Sequence, residues 1–447
     1  MKIAYFSPLP PQKSGISDYS LELLPSLGQH LKIDLFSDID GASQEQLAST
    51  FTFFNTTDFL KHKMHAFYDH VLYHIGNNNT FHQNIYETAI KYPGIVVLHD
   101  YALHHMLAHQ TVGRNDFKGY IAEMKYNYGL EGEQLARQSL EGERRRIWNT
   151  VSTLKYPLNK RILDCSRAVI VHSNFIKKLI HETHKSLPVI VAPLPTPDIG
   201  LILSAEKKLL RQRYNIGENQ RVFSSFGFLS KDKRVDKVLA ALKQIKKEAD
   251  NFLYIIVGDR QEDFPIKEMV KEMGLQKHVK FTGFVNLDTF KDYIRLSDFC
   301  INLRYPTQGE TSASLIRILG MGKPAIITNV GTFSDFPDTV TLKVSCGQNE
   351  VEDIGRALRL LLKDKGKREN MGRAAYEYVK ENHHISKTVK SYLQLLWDIQ
   401  GGRLYKNNIH AYGSFYAAVG DSLYSMGVRE PDRNLIKKIA ERLNEII

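Results

Sequence analysis

Residues 297–328 read SDFCINLRYPTQGETSASLIRILGMGKPAIIT, and this stretch restricts the chain to few folds. Residues 299–303 form a short apolar run of the kind that fills a buried parallel strand, and a polar loop, 304–310, follows. Thr311 and Ser312 are good helix-capping residues, and Leu315, Ile316 and Leu319 recur at helical spacing. Gly322 and Pro324 stop that helix, and 325–328 starts another buried strand. Strand, loop, helix and strand in this order place the free N–H groups of a helix start at the carboxyl edge of a parallel sheet. Open α/β sheets bind anionic ligands there, and phosphate is the natural guest. The small residues Thr311, Ser312, Ala313 and Ser314 let phosphate oxygens approach the backbone and add hydroxyls. For this loop alone, an ordinary βαβ crossover with a Ser/Thr cap is an equally good reading.

With 447 residues, 43% hydrophobic and 24% charged, the chain has the makings of a globular protein with two sizeable cores. A net charge of +11 and a pI near 9.2 favour anionic partners such as nucleotides, nucleic acid or an acidic membrane surface. Nucleic acid is set aside because Lys and Arg are dispersed and no recognition helix or aromatic platform motif occurs. Cys165, Cys300 and Cys346 stand far apart in no metal-ligand spacing, which suggests a reducing compartment. The amino terminus runs straight into a strand, and no apolar stretch approaches about 20 residues. Neither a signal peptide nor a membrane span is expected, and the expected location is the cytoplasm.

Taken in order, residues 2–7, 31–36, 71–75, 95–98, 168–172 and 187–192 read as buried strands of a first domain. The first is followed by a loop holding Ser14 and a lone Gly15, so it is not a GxGxxG dinucleotide fingerprint, and by a helix over 18–27. The third ends in Gly76, Asn77 and Asn78, the fourth in His99 and Asp100. Polar residues thus gather where strands finish, the mark of a ligand-facing edge. Individually, Asn77 and Asn78 read as turn formers, His99 as a strand-end histidine bonded to Asp100, and Lys233 as a surface lysine. Residues 101–161 are helix-rich and carry Arg144, Arg145, Arg146 and Trp148. A solvated helix face is the favoured reading of that basic run. The minority reading is a membrane-surface patch, peripheral association at the inner face that brings the protein to a lipid-linked acceptor. His104 and His105 read as helix-surface or cleft-lining residues, with no third metal ligand nearby. A stiff Pro-rich exit at 193–197 places the linker. The rhythm then restarts with strands over 222–226, 252–257, 279–282, 299–303, 325–328 and 342–344. The expected fold class is α/β: two doubly wound Rossmann-like domains, 1–195 and 196–390, facing across a cleft. C-terminal helices over 391–447 would cross back onto the first domain.

This order of signals resembles the retaining glycosyltransferases of the GT-B fold, specifically family 4, over residues 1–400. Ser14-Gly15-Ile16 is similar to the family's N-terminal glycine loop, and His99-Asp100 to its histidine beside the reacting sugar. Gly227 followed by Lys233 is similar to the loop that grips the diphosphate. Gly258 and the Phe281-Thr282-Gly283 turn fall where the family holds the nucleotide base. Gly309-Glu310-Thr311-Ser312, the helix after it and Gly322-Lys323-Pro324 resemble the acidic donor-sugar motif and its closing Gly-x-Pro. There are departures. Phe228 follows Gly227 where the family has arginine, so one phosphate cation either comes from Arg234 or is missing. The second of the family's two glutamates falls on Arg317, which would contact phosphate or base rather than accept ribose hydroxyls. This GETS…Arg pattern is similar to a variant branch of the superfamily.

The resemblance implies a hexosyl or N-acetylhexosaminyl transfer with retention from a nucleoside diphosphate sugar to the hydroxyl of a glycan or lipid-linked acceptor. It implies no cofactor and no metal, and a place in cell-envelope or exopolysaccharide synthesis. His99, Lys233 and Glu310 would be catalytic. Gly15, Arg234, Gly258, Thr282, Gly283, Thr311, Ser312, Ala313, Ser314 and Arg317 would hold the donor. Ser14, Asn77, Asn78 and Asp100 would face the acceptor. Two alternatives are a GT-B sugar-nucleotide epimerase, which needs no acceptor groove, and a non-catalytic nucleotide-sugar-binding protein. The oligomeric state has no signal in the sequence.

Overall fold

The computed structural model describes residues 1–403 except 13, 39–44, 144, 151–152, 198 and 262–263. The helices expected over 404–447 therefore lie outside the described residues. A first sheet holds β1 (Lys2–Phe6), β2 (Lys32–Phe36), β3 (Thr52–Phe54), β4 (His70–Ile75), β5 (Ile95–Leu98), β6 (Ala168–Val171) and β7 (Val189–Val191). Its seven strands run parallel in the order β3-β2-β1-β4-β5-β6-β7. A second sheet holds β8 (Arg221–Phe226), β9 (Phe252–Val257), β10 (Val279–Gly283), β11 (Phe299–Asn302), β12 (Ala325–Thr328) and β13 (Thr341–Val344). Its six strands, also parallel, run β10-β9-β8-β11-β12-β13. The sequence reading finds every strand except β3, a three-residue strand on the sheet's edge, too short to show a pattern.

Strands such as β5 (IVVL), β6 (AVIV) and β9 (FLYIIV) are continuous apolar runs because helices cover both faces of each sheet. In β9, FLYIIV, only Leu253 is not fully buried. Strand order reverses between β1 and β4 in one sheet and between β8 and β11 in the other. Those two crevices, at the carboxyl ends of the strands, are where a doubly wound sheet takes its ligand.

The carboxyl-end loops of the two sheets meet. The Ala102 N–H, beyond β5, donates to the carbonyl of Gln308, beyond β11, at 2.9 Å. The Phe175 N–H donates to Asp335 Oδ2 at 3.2 Å. Behind this contact the chain returns to the first domain through helix Ile385–Gln400. Its Tyr392 hydroxyl lies 2.7 Å from that of Tyr19 on helix Gly15–Leu27, and Thr388 Oγ1 donates to the Pro193 carbonyl at 2.7 Å.

Candidate functional site at the interdomain cleft

The loop between β11 and helix Ala313–Gly320 carries the charge of the cleft. Arg304 leaves the end of β11, its backbone N–H bonded to Thr328 Oγ1 at 3.1 Å. Its guanidinium is held between two carboxylates, Asp232 from the loop after β8 and Glu310, the latter with Nε to Oε1 at 2.7 Å. Glu310 Oε2 also accepts from Thr307 Oγ1 at 2.8 Å and from the Gln308 N–H at 2.7 Å. Both carboxylate oxygens of Glu310 are thus engaged in shaping the loop.

Lys233 lies beside this triad, its Nζ 3.6 Å from where a Cβ on Gly227 would stand. Desolvation, with the Arg304 guanidinium adding to it, pushes the Lys233 ammonium down to about 7 against the pull of Asp232 and Glu310. Beyond the loop, Ser312 caps helix Ala313–Gly320 by accepting from the Leu315 N–H at 3.3 Å. The N–H groups of Ala313 and Ser314 have no partner among the described residues, and such a helix start carries partial positive charge. Ser314 Oγ is bonded to Asn302 Nδ2 and Ser312 Oγ, each at 3.1 Å, and Thr311 stands at the loop's end.

Along the neighbouring strand ends, Gly227, Gly258 and Gly283 form a row with φ of +97°, +138° and +69°. The Gly258 N–H donates to the Gly283 carbonyl at 3.1 Å, and Thr282 Oγ1 donates to the same carbonyl at 2.8 Å. A Cβ at Gly258 would stand 2.2 Å from the Gly227 carbonyl oxygen, so the strands can approach here only without one.

The first domain supplies the opposite wall. Asp100 accepts from the Asn77 N–H at 2.7 Å, and Asn77 Nδ2 reaches Gln308 Oε1 at 3.4 Å and His105 Nδ1 at 3.3 Å. Desolvation, then the nearby Glu310 carboxylate, pushes the Asp100 carboxyl up to about 6. Burial lowers His105, which feels the charge of Asp232 in the other domain. Asn78 and Ser14 serve as caps, accepting from the Thr80 N–H at 2.9 Å and the Ile16 N–H at 3.2 Å. A Cβ at Gly15 would meet nothing within 4 Å, so the cleft is open there.

Three expectations change. His99 was expected to act on the sugar, but both its ring nitrogens are taken. Its Nε2 pairs with His74 Nδ1 at 2.9 Å and its Nδ1 with His172 Nε2 at 3.2 Å. His172 Nδ1 donates to the Ala192 carbonyl at 2.9 Å, which fixes every neutral tautomer along the row and leaves His74 Nε2 buried as an acceptor without a partner among the described residues. Burial and the neighbouring imidazoles hold His74 and His99 well below the ordinary histidine range, so the row is neutral at pH 7. Arg234 was expected at the phosphates. Its guanidinium instead grips Glu350, Nε to Oε1 at 2.8 Å and Nη2 to Oε2 at 2.5 Å, and that carboxylate is 1% exposed. Arg317 was expected at the nucleotide, yet it reaches Glu22 of the first domain, Nη2 to Oε1 at 2.5 Å.

The sequence reading missed Arg304, Asp232 and Gln308 as site residues. Their one signal was position, in loops after β11 and β8. His105, by contrast, lines the cleft beside Asn77. Among the described residues no three His, Cys, Asp or Glu side chains are arranged to hold a metal ion, and no helix is long and apolar enough to cross a membrane.

Residues 206–378 match the family model "Glycosyl transferases group 1". N-acetyl-alpha-D-glucosaminyl L-malate synthase of Bacillus anthracis is 26% identical over 230 residues, which is 49% of this chain and 58% of that protein's own length. Among solved structures, Anabaena Alr3699/HepE in complex with UDP-glucose superposes with a TM-score of 0.63 at 14% identity, over 89% of this chain and all of the other. Sucrose-phosphate synthase from Thermosynechococcus elongatus does so with a TM-score of 0.61 at 14% identity, over 90% and 100%. The chain therefore has the GT-B fold, two Rossmann-like domains of which the second carries the glycosyl transferases group 1 match.

Proposed function

We propose that the chain transfers a hexosyl or N-acetylhexosaminyl unit from a nucleoside diphosphate sugar to an acceptor hydroxyl, with retention at the anomeric carbon and without a metal ion. The observation that carries this reading is the convergence of Lys233, Arg304 and the free N–H groups of Ala313 and Ser314 at the switch point of the second sheet. The names of the relatives support it, one an N-acetyl-alpha-D-glucosaminyl L-malate synthase and one in complex with UDP-glucose.

The bond from the anomeric carbon to the diphosphate oxygen breaks, and the sugar becomes oxocarbenium-like. Charge growing on the leaving diphosphate is met by Lys233 and the helix start, groups already oriented before reaction. The acceptor oxygen bonds the same face of the anomeric carbon, and its proton passes to the departing phosphate oxygen. Arg304 holds Glu310 and Asp232 in place and adds positive potential under Lys233. Asp100, held by the Asn77 N–H, orients the acceptor hydroxyl, and His105 stands beside it. The acceptor we propose is a glycan or lipid-linked glycan of the cell envelope or an exopolysaccharide, met on the cytoplasmic side of the membrane.

Incubation with a panel of nucleoside diphosphate sugars, without acceptor and with EDTA, tests the reading. Slow hydrolysis that survives EDTA supports it. Epimer formation would point to an epimerase, and tight binding without turnover to a non-catalytic protein.

A further inference from the structure

Beside Asn77 and His105 the cleft opens into a groove of about 640 Å³ in the first domain, well within the range of small-molecule sites. It lies between the amino end of helix Asn79–Lys91, helix His104–Gln110, the start of helix Phe117–Leu140 and the turn Ile147–Asn149. Its chemistry is one-sided. Arg146, His105, His109 and four asparagines line it, with no aspartate or glutamate among the lining residues. Arg146 lies 5.6 Å over the ring of Trp148, and it has no carboxylate partner among the described residues. Phe117, 47% exposed, offers an aromatic face at the rim. Donor-rich walls with an unneutralised arginine recognise negative charge together with hydroxyls. An aromatic face suits the C–H side of a ring.

We propose that this groove holds the acceptor, and that the acceptor is a hydroxylated ring bearing an acid group, a carboxylate or a phosphate, read by Arg146. The inference rests on the transferase reading. It assigns the helix-rich segment between β5 and β6, which carries most of the groove, to choice of acceptor. Asn77 and His105 line the groove, and the Asn77 N–H donates to Asp100, so the groove adjoins the residue that orients the acceptor hydroxyl.

Ligand-observed NMR titrations of the full chain with glucuronate, glucose 6-phosphate and methyl glucoside test this, with UDP titrated separately. At least one acidic sugar is expected to bind ten times or more tightly than the methyl glucoside, and the tighter of the two identifies carboxylate or phosphate. Arg146→Gln, at an exposed position, is expected to remove that preference while leaving UDP affinity within twofold. Phe117→Ala is expected to weaken all three sugars together. Equal binding of acidic and neutral sugars, or a preference that survives Arg146→Gln, overturns the inference. Failure of the unmodified chain to bind UDP, GDP, ADP or dTDP would instead overturn the transferase reading, which places the nucleotide in the other domain.

Discussion

Arg317 of the second domain and Glu22 of the first form an ion pair across the cleft, 9% and 17% exposed at their side chains. Removing one partner takes away a charge-assisted contact between the two domains. Arg317→Met is expected to lower stability by about 2 kcal/mol, and Glu22→Met added to it in the same chain to cost less than it does alone. Urea midpoints of both single variants and the double variant provide the cycle. Additive losses would mean that the two residues act separately.

Lys233 supplies a pH signature. Free, its ammonium titrates near 7, and a bound diphosphate raises that value, so binding takes up a proton. Affinity for UDP should be greatest below pH 7 and fall by up to about tenfold per unit as pH rises above it. Calorimetry in buffers of different ionisation enthalpy measures the proton directly. Lys233→Ala should lower turnover by about 10²–10³ and abolish the pH dependence.

Asp100 should set the acid limb of the rate profile. Its carboxyl is pushed up to about 6 by desolvation and by Glu310, so the ionised form is lost as pH falls through 6. Asp100→Asn is expected to reduce kcat about a hundredfold, to flatten that limb and to leave UDP affinity within twofold. Rates and affinities measured between pH 5 and 8 check all three.

Gly258→Ala combines a positive φ with a 2.2 Å approach to the Gly227 carbonyl oxygen. A loss of about 2–4 kcal/mol is expected, with weaker nucleotide binding because the row from Gly227 to Gly283 must open. Thermal melting with and without UDP measures both effects.

Much of this was legible in the chain, and the limits are physical. Buried parallel strands announce themselves as short apolar runs, and Ser312 showed its capping role from local spacing alone. Pairings between distant residues leave no local mark. Arg234 meets Glu350 across 116 positions, and Arg317 meets Glu22 across 295. In the sequence His99 could be paired only with its neighbour Asp100 or with a sugar, because its actual partners, His74 and His172, come from two other strand ends. Arg304 was hidden as one polar residue in a polar loop, and only the fold brings Asp232 to its other side.

The most direct measurement is a crystal structure of the chain soaked with a nucleoside diphosphate. The account predicts the diphosphate at the start of helix Ala313–Gly320, with oxygens on the Ala313 and Ser314 N–H groups and on Lys233 Nζ. A nucleotide bound away from that helix start, with Lys233 untouched, would contradict it.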